Sequence, residues 1–382
     1  MNAGGMGARG MISEGMSTAS GGAVELHMVV AARPNLPKIA ALWHALRAHP
    51  VGLHPVIVHT GQHHDARMFG AHLADLELPA PDVSLGVSGG GHAALVANTM
   101  VACAALWEAR RPALVVVPGD VDGALAATLA ARKLGIPVAH LEAGLRCGDR
   151  DMPEEINRRA MDAVSDLLWA PDEATAARLL HEGHDPAAVR AVGNSMADSL
   201  LRVLPAARRR PLPAGLAPGG YGVVTLHRPS NVDDPAQLAR LVDALCEAQA
   251  RLPLVFPVHP RTAQRLEAAG LAGRLQAAGV RMIDPLPYIR FMSLVLGAAA
   301  VVTDSGGIQE ETTYLGIPCL TLRDNTERPI TISQGTSRLV KVDCLVTELV
   351  SALAVPAEQR RRPDLWDGHT AERCIADLRR RG

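Results

Sequence analysis

The chain has 382 residues, of which 38 are Lys or Arg and 39 are Asp or Glu, so its formal net charge is −1. This balance argues against nucleic acid or a membrane surface as the main partner, because both attract strongly basic proteins. Apolar residues make up 48% of the sequence, and the length suits two domains of ordinary size. No apolar run approaches the roughly 20 residues that a membrane-spanning helix needs.

Residues 1–22 are rich in Gly, Ser and Met and lack the charged and apolar regions of a signal peptide. We expect a disordered leader there, and the alternative first residues are Met6, Met11, Met16 and Met28. The cysteines are scattered without a C-x-x-C motif, which favours a reducing, cytoplasmic location over a disulfide framework. They are Cys103, Cys147, Cys246, Cys319, Cys344 and Cys374.

From Leu26 onward, short β-branched runs alternate with longer segments that are rich in Ala and Leu. This alternation predicts a parallel sheet covered by helices on both faces. In the first half the predicted strands are His27–Ala31, Pro55–His59, Leu114–Pro118 and Pro137–Leu141, and the predicted helices are Leu36–Ala48 and Gly123–Leu134.

The pattern breaks between Leu204 and Gly222, where four prolines and three arginines indicate an interdomain linker. A second alternating set follows, with strands at Gly222–Leu226, Leu254–Val258, Val280–Ile283, Ala298–Thr303 and Pro318–Leu322, and helices at Pro235–Ala250, Tyr288–Gly297 and Gly307–Leu315. We therefore predict an α/β fold of two doubly wound, Rossmann-like parallel-sheet domains that face a central cleft. The predicted boundaries are 23–203 for the first domain, 204–221 for the linker and 222–382 for the second domain, whose last helix packs back on the first.

The segment from Val301 to Arg328 carries the clearest functional signal. A buried strand ends at Thr303-Asp304, the turn Ser305-Gly306-Gly307 follows, and a helix carrying Glu310 and Glu311 comes next. Free N–H groups at a helix start bind anions, and the glycines let a phosphate approach the backbone closely. The two carboxylates suit sugar or ribose hydroxyls, so the segment predicts a nucleotide-sugar site. The alternative interpretation is an ordinary strand–helix turn.

Two polar clusters follow the first two predicted strands. Arg33 and Lys38 lie near a helix start and suit a phosphate or carboxylate partner, although for this cluster taken alone an ordinary Pro-containing helix entry is the favoured interpretation. The stretch Thr60-Gly-Gln-His-His-Asp65 includes Gln62 and His63 and contains three side chains of metal-ligand type. No matching Cys, His or Glu cluster recurs elsewhere, so polar contacts to a ligand are favoured over a metal.

Carboxylates recur on three later loops of the first half, at Pro118-Gly-Asp120, His140-Leu-Glu142 and Pro153-Glu154-Glu155. The carboxyl ends of parallel strands meet at one edge of a sheet, so we expect these groups to converge there. Like charges held close together acquire separated pKa values, which lets one site hold both an acid and a base. A single Asp or Glu in such a place is more often a helix cap or a surface charge.

In the second half, Thr225-Leu-His227-Arg228-Pro-Ser-Asn231 and Pro257-Val-His259-Pro-Arg261 each follow a predicted strand. We expect His227 to face the carboxylates of the first domain across the cleft; alternatively, backbone carbonyls satisfy its ring. The first strand is followed by Ala31-Ala-Arg-Pro-Asn-Leu-Pro and not by G-x-G-x-x-G, so a dinucleotide cofactor is not expected.

Taken together, these segments resemble the non-hydrolysing UDP-N-acetylglucosamine 2-epimerases, which adopt the glycosyltransferase-B fold. The resemblance extends from about His27 to Val342 in the order of the family. The matching motifs are A-R-P-N-x-x-K, T-G-Q-H, G-D, H-L-E-A-G-L-R, M-P-E-E-I-N-R, V-G-N, T-L-H-R-P-S-N, D-S-G-G-I-Q-E-E and N-T-E-R-P. As a set they are highly specific to the superfamily and less specific to one substrate.

The resemblance implies reversible epimerisation of UDP-N-acetylglucosamine at C2, or of a related UDP-2-acetamido sugar. UDP leaves C1 while a proton leaves C2, and UDP then adds back to the bound 2-acetamidoglucal. No cofactor and no metal are implied, and a homodimer is expected. Asp120, Glu142 and Glu154 become the acid and base groups, and His227 meets the leaving pyrophosphate.

The resemblance also implies a set of substrate contacts. Phosphates are held by Arg33, Lys38, Ser305, Gly306 and Gly307, Glu311 takes the ribose hydroxyls, and Phe291 lies on the uracil. The remaining implied substrate contacts are Gln62, His63, Arg146, Glu155, Arg158, Arg228, His259 and Arg328.

This chain departs from the family at two points. It has His227-Arg228-Pro229-Ser230 where many members have His-Arg-Arg-Glu, and it has Leu95 where many carry Gln or Arg. Three alternatives therefore stay open: a hydrolysing 2-epimerase that releases UDP and N-acetylmannosamine, a glycosyltransferase of the same fold, and a binding protein without catalysis. The substituents at C3 and C6 of the sugar, and activation by a second substrate molecule, also stay open.

Overall fold

The computed structural model describes residues 24–61 and 66–381, except for the side chains of residues 66 and 67. These residues form two compact units. The first runs to Ser199 and includes the residues from Asp364 onward, and the second is Leu200–Pro363.

The first unit is built on a seven-stranded parallel sheet with the order β3-β2-β1-β4-β5-β6-β7. Val, Leu and Ile fill its central strands, which are buried on both faces as expected for a sheet between two helix layers. The chain order reverses between β1 and β4, the position where open α/β sheets bind ligands. The strands are β1 (Val24–Val30), β2 (Leu53–His59), β3 (Val83–Ser84), β4 (Leu114–Pro118), β5 (Val138–Leu141), β6 (Leu167–Ala170) and β7 (Val189–Ala191).

Within the described residues, six helices connect these strands and a seventh follows β7. They are α1 (Asn35–Ala48), α2 (Ala66–Asp75), α3 (His92–Ala109), α4 (Asp122–Lys133), α5 (Pro153–Val164), α6 (Glu173–His181) and α7 (Ser195–Arg208). Trp107 of α3 is fully buried, and its Nε1–H donates to the Nδ1 of His27 on β1 over 3.0 Å. Large apolar residues thus anchor the helix layer to the sheet and leave the carboxyl edge of the strands to polar side chains.

The second unit repeats this design with a six-stranded parallel sheet in the order β10-β9-β8-β11-β12-β13. Its chain order reverses between β8 and β11. The strands are β8 (Gly222–Thr225), β9 (Leu254–Pro257), β10 (Arg281–Ile283), β11 (Ala300–Thr303), β12 (Cys319–Thr321) and β13 (Ser337–Leu339).

Several helices of the second unit pack on a core of Leu and Val that includes Leu241, Leu245 and Val302. In chain order, the helices of this unit are α8 (Pro229–Val232), α9 (Pro235–Gln249), α10 (Pro260–Ala268), α11 (Ala272–Ala277), α12 (Tyr288–Leu296), α13 (Gly306–Leu315), α14 (Ile330–Ser333) and α15 (Leu345–Leu353), with 3₁₀ turns at Val342–Cys344 and Ala357–Gln359.

The segment predicted as a linker, 204–221, begins as helix. Helix α7 continues to Arg208 with Pro205 inside it, so irregular chain starts only at 209. The buried side chains Val203, Leu204 and Ala207 explain this, because their helical spacing outweighs the backbone hydrogen bond that the proline removes.

The last helix, α16 (Thr370–Arg379), belongs to the first unit and contacts α1. Two buried hydrogen bonds attach it to other elements of the first unit. The Ala371 N–H donates to Oδ2 of Asp198 over 2.9 Å, and the Nε1–H of Trp169 donates to Oδ2 of Asp377 over 2.9 Å. Among the described residues, no helix is both long and apolar enough to cross a membrane.

Candidate active site

The turn after β1 is tied to the end of β4 by one asparagine. The Oδ1 of Asn35 accepts from the N–H groups of Ala31 and Ala32, and its Nδ2 donates to the Pro118 carbonyl over 3.1 Å. Asn35 is buried, so this link fixes the loop that carries Arg33 and starts the helix that carries Lys38.

Three successive carbonyl oxygens at the end of β4 each accept a hydrogen bond from a buried side chain. Asn35 donates to Pro118, His140 donates through Nε2 to Gly119 over 2.8 Å, and Asn157 donates to Asp120 over 2.9 Å. The backbone that positions the predicted acid/base residue Asp120 is therefore fixed at three points. Gly119 has φ +70°, a backbone conformation that residues with a Cβ rarely adopt, and a Cβ there would lie 2.6 Å from the Nζ of Lys38, so glycine is favoured.

Lys38 of α1 and Glu142, the residue after β5, form a buried ion pair. The Lys38 Nζ lies 2.5 Å from Oε2 of Glu142, and both side chains are at most 10% exposed. Lys38, which the resemblance assigns to phosphate, thus balances the charge of a predicted catalytic carboxylate in this structure. Glu142 itself has φ +74°, a left-handed conformation that costs energy for a residue with a Cβ.

Asp120 pairs with a second buried cation, Arg158 of α5. The Nη2 of Arg158 lies 2.6 Å from Oδ2 of Asp120, and its Nη1 lies 2.8 Å from Oε2 of Glu155. Glu155 also accepts from the Cys147 N–H; burial raises its pKa, but this bond and the Arg158 charge outweigh burial and lower it overall. Glu154, half-buried, is the second residue of α5.

Arg146 is held by two carboxylates. Its Nη1 lies 2.7 Å from Oδ2 of Asp162, and its Nη2 lies 2.6 Å from Oε2 of Glu182. Asp162 also contacts the Nδ1 of His140 over 2.6 Å, and both of these side chains are fully buried. Burial opposes the ionised form of Asp162, but His140 and Arg146 outweigh it and hold the pKa below its usual range.

In the second unit, Asp304 organises the loop after β8. Its fully buried carboxylate accepts from the N–H groups of His227 and Arg228, from the Nδ2 of Asn231 and from the Nδ1 of His227, the last at 3.1 Å. Burial raises the pKa of Asp304, but these donors outweigh it and lower the pKa overall. Because Nδ1 faces Asp304, the Nε2 of His227 is the nitrogen left to act on a ligand, and the ring is 40% exposed.

The predicted anion turn starts α13. Ser305 occupies the N-cap, and the first-turn amides of Gly306 and Gly307 have no acceptor within the helix. A Cβ on Gly306 would lie 2.7 Å from Nη1 of Arg328 and 2.8 Å from Oε1 of Glu327. The turn therefore rests directly on a buried ion pair, and the glycine lets the two approach each other.

The adjacent glutamates of α13 have different partners. Oε1 of Glu310 lies 2.9 Å from the Nε of Arg328, whereas Oε1 of Glu311 accepts from the hydroxyl of Tyr288 over 2.6 Å. Burial raises the pKa of Glu311 to about 8, and the neighbouring Glu310 adds to that shift against the hydrogen bond from Tyr288. Arg328 thus has internal carboxylate partners in this structure.

Two other predicted contacts lie on helices of the second unit. His259 caps α10, with Nδ1 accepting from the Arg261 N–H, and its ring centroid lies 5.6 Å from that of His227. Phe291 is half-buried on α12. Gln62 and His63 lie outside the described residues, and no group of three His, Cys, Asp or Glu side chains in the described part has metal-binding geometry.

The residues that orient the predicted site residues were not themselves predicted: Asn35, Asn157, Asp162, Tyr288 and Asp304. Asp304 and Tyr288 stand in segments that were singled out, next to Ser305 and Phe291. Asn35 and Asn157 lie inside matching motifs, and polar residues at the start of a helix are a usable signal for such links. Asp162 gives no local signal, because an Asp in the last turn of a helix normally faces solvent.

A family model described as UDP-N-acetylglucosamine 2-epimerase matches residues 44–379. A UDP-N-acetylglucosamine 2-epimerase of Methanocaldococcus jannaschii is 34% identical, covering 93% of this chain and 99% of the relative. A UDP-2,3-diacetamido-2,3-dideoxy-D-glucuronate 2-epimerase of Pseudomonas aeruginosa is 39% identical, with coverage of 82% and 87%.

The crystal structure of the Methanocaldococcus jannaschii enzyme in complex with UDP-GlcNAc and UDP superposes with a TM-score of 0.84 at 33% identity, covering 93% of this chain and 99% of that one. The predicted fold class, two doubly wound parallel-sheet domains of the glycosyltransferase-B type, is confirmed. Since the family model spans most of the chain and relatives above 30% identity align along nearly their whole length, this protein belongs to the UDP-N-acetylglucosamine 2-epimerase family.

Proposed function

We propose that this protein epimerises UDP-N-acetylglucosamine reversibly at C2 by eliminating UDP and adding it back. The observation that carries the proposal is the pair of carboxylates at neighbouring strand ends. Asp120 follows β4 and Glu142 follows β5, and Pro118 pairs with Leu141 where these strands adjoin. Each carboxylate is paired with a buried cation: Asp120 with Arg158, and Glu142 with Lys38.

The chemistry needs two such groups. In the elimination, a carboxylate takes the C2 proton while the C1–O bond breaks, which leaves UDP and a C1–C2 double bond. The return step adds UDP to C1 and delivers a proton to the opposite face of C2, so a second acid is required there. We assign these roles to Asp120 and Glu142, with Glu154 as the third candidate; proton transfer by a positioned group typically contributes about 10²- to 10⁴-fold.

The second unit supplies the leaving-group contacts in this proposal. Negative charge grows on the β-phosphate as the C1–O bond breaks, so a donor aimed there stabilises the transition state more than the ground state. We assign that donor to the Nε2 of His227, which Asp304 orients through Nδ1. Ser305 and the amides of Gly306 and Gly307 bind phosphate, and Glu311 takes the ribose hydroxyls.

Retention of UDP in the active site distinguishes the proposed reaction from the hydrolysing one. A non-hydrolysing enzyme must keep UDP bound through the glycal stage, and the turn before α13 with its free amides suits that task. The Methanocaldococcus jannaschii enzyme was crystallised in complex with both UDP-GlcNAc and UDP, which supports the assignment of these ligands. A second candidate substrate is a UDP-2,3-diacetamido-2,3-dideoxy-D-glucuronate, because the Pseudomonas aeruginosa relative has the higher identity at 39%.

The test is to incubate the protein with UDP-N-acetylglucosamine in heavy water and to follow the products by ¹H and ³¹P NMR. We expect UDP-N-acetylmannosamine with deuterium at C2 and no accumulation of free UDP. Free N-acetylmannosamine with UDP would replace the proposal by the hydrolysing reaction. If only the diacetamido-glucuronate substrate turns over, the second candidate is correct; turnover of neither would refute the function.

A further inference from the structure

The cluster formed by His140, Asp162 and Arg146, which we call the buried hub, links the loops of the two proposed catalytic carboxylates. His140 lies on β5 and donates through Nε2 to the carbonyl of Gly119, the residue before Asp120. Asp162 lies on α5 and accepts through Oδ2 from the N–H of Gly144, two residues after Glu142, over 3.0 Å. One connected pair of side chains therefore reaches both loops.

The partners of His140 define the hydrogen-bond roles of its two ring nitrogens. The Gly119 carbonyl only accepts, so Nε2 must carry a hydrogen. The Asp162 carboxylate already accepts from the Gly144 N–H and from Arg146, so it acts as an acceptor toward Nδ1 as well. Assigned from these partners, both ring nitrogens donate, Nε2 to the Gly119 carbonyl and Nδ1 to the Asp162 carboxylate over 2.6 Å.

The Glu142 loop needs such support because its backbone is strained. Glu142 has φ +74° and Gly144 has φ +84°, and a Cβ on Gly144 would lie 2.8 Å from side-chain atoms of Thr175 and Leu179. Strained conformations of this kind persist only where surrounding contacts fix them. Here the Gly144 N–H is held by Asp162, and its carbonyl accepts from Arg178 over 3.1 Å.

We propose that His140 and Asp162 are positioning residues, which set the spacing of Asp120 and Glu142 by holding the Gly119 carbonyl and the Gly144 amide through one buried ion pair. The kinetic part of this inference rests on the proposed epimerase function. The geometric part does not, because the hub holds the two loops whatever reaction the carboxylates perform. Arg146 completes the hub by binding Asp162, so its guanidinium serves the site indirectly.

Asp166 provides a matched control. It accepts from the N–H of Val138 over 2.8 Å and pairs with Arg132 over 2.9 Å, so it also holds β5 through an ion pair and a backbone amide. It does so at the amino end of β5, the end away from Glu142. A variant at Asp166 therefore removes a similar bond from the same strand without touching the two loops.

The experiment compares Asp162→Asn, His140→Gln and Asp166→Asn with the wild type. We expect the two hub variants to lower kcat by about 10²-fold, the usual cost of a misplacement of around 1 Å. The dissociation constant of UDP should stay within about twofold of the wild-type value. A general loss of structure would change this constant as well, so an unchanged value shows that the variants are folded. Asp166→Asn should lower the Tm without lowering kcat; equal kcat values in hub and control variants would overturn the proposal.

A measurement without turnover separates this proposal from the proposed function. Crystal structures of the same variants should show the Gly119 carbonyl and the Glu142 backbone displaced in Asp162→Asn and unmoved in Asp166→Asn. In ¹⁵N NMR of the wild type under assay conditions, His140 should show hydrogen on both ring nitrogens. An unmoved Glu142 in Asp162→Asn, or a His140 ring with one hydrogen, would refute the inference even if the wild type proved to act on another substrate.

Discussion

The two units carry polar sites of opposite construction at corresponding edges of their sheets. In the first unit, side chains from distant parts of the chain hold one another: Lys38 meets Glu142, and Arg158 meets Asp120. In the second unit, a short local segment supplies the turn, the free amides and the helix start at once, from Ser305 to Gly307. Charged side chains dominate one region, and backbone groups dominate the other.

The difference follows from what each region is proposed to do. Proton transfer requires carboxylates at fixed places with controlled charge, and buried charges are tolerated only when they are paired. Binding a diphosphate requires several N–H donors on a small surface, which a glycine turn provides without any side-chain charge. We therefore expect the first unit to be sensitive to side-chain substitution and the second to substitutions that displace the backbone.

The largest effect is expected at the paired carboxylates. Glu142→Gln and Asp120→Asn should each lower kcat by about 10²-fold or more, because an amide cannot transfer the C2 proton. The dissociation constant of UDP should change far less, since its proposed contacts lie in the second unit. Steady-state kinetics and UDP titration measure both quantities.

Glu25→Gln is the control for the loss of a paired carboxylate in the same unit. Glu25 pairs with Arg110 over 2.6 Å on β1, away from the carboxyl ends of the strands. Its variant should keep kcat near the wild-type value. A Glu142→Gln enzyme that retains more than half of wild-type kcat would show that this carboxylate does not move the proton.

The same contrast explains which parts of the site the sequence could predict. Asp120, Glu142 and Ser305 were found because they follow apolar runs at strand ends, which is a local signal. The link between Lys38 and Glu142 joins residues 104 positions apart, and no local pattern encodes it. Lys38 was therefore assigned to phosphate on position alone.

The fold shows the same limit. The long alternating runs predicted the central strands of both sheets closely. Strand β6, the four residues Leu167–Ala170, was missed because so short an apolar run directly after a helix has no periodicity of its own. Helix α7 extends into the segment predicted as a linker because burial of Val203 and Leu204 outweighs the local effect of Pro205.

A smaller effect is expected at the glycine turn of the second unit. In Gly306→Ala the new Cβ would press on Arg328 and Glu327, and shifting a packed group of this kind costs about 1–3 kcal/mol. The dissociation constant of UDP should then rise by about tenfold, as 1.4 kcal/mol corresponds to one factor of ten. At saturating substrate, kcat should change little.

Gly273→Ala in α11 is the matched control, because a Cβ there meets no atom within 4 Å. It should leave UDP binding unchanged. If Gly306→Ala bound UDP as tightly as the wild type, the turn before α13 would not be the phosphate site, and the division of labour between the two units would be wrong.

The smallest effect is expected at Glu311 of the second unit. Its carboxyl group is bonded to a hydroxyl, whereas the proposed catalytic carboxylates of the first unit are paired with cations. Glu311 is bonded to Tyr288, and burial raises its pKa from about 4.5 to about 8. The folded state therefore binds a proton that the unfolded state releases between these values, so Glu311 stabilises the fold at low pH and loses that contribution as pH rises toward 8. We expect the Tm of the wild type to fall over this interval relative to Glu311→Gln, which has no proton to lose.

Glu358→Gln, at an exposed position of the same unit, is the control and should keep the pH dependence of the wild-type Tm. Parallel Tm curves for the wild type and Glu311→Gln would mean that Glu311 is ionised throughout, and burial would then not raise its pKa.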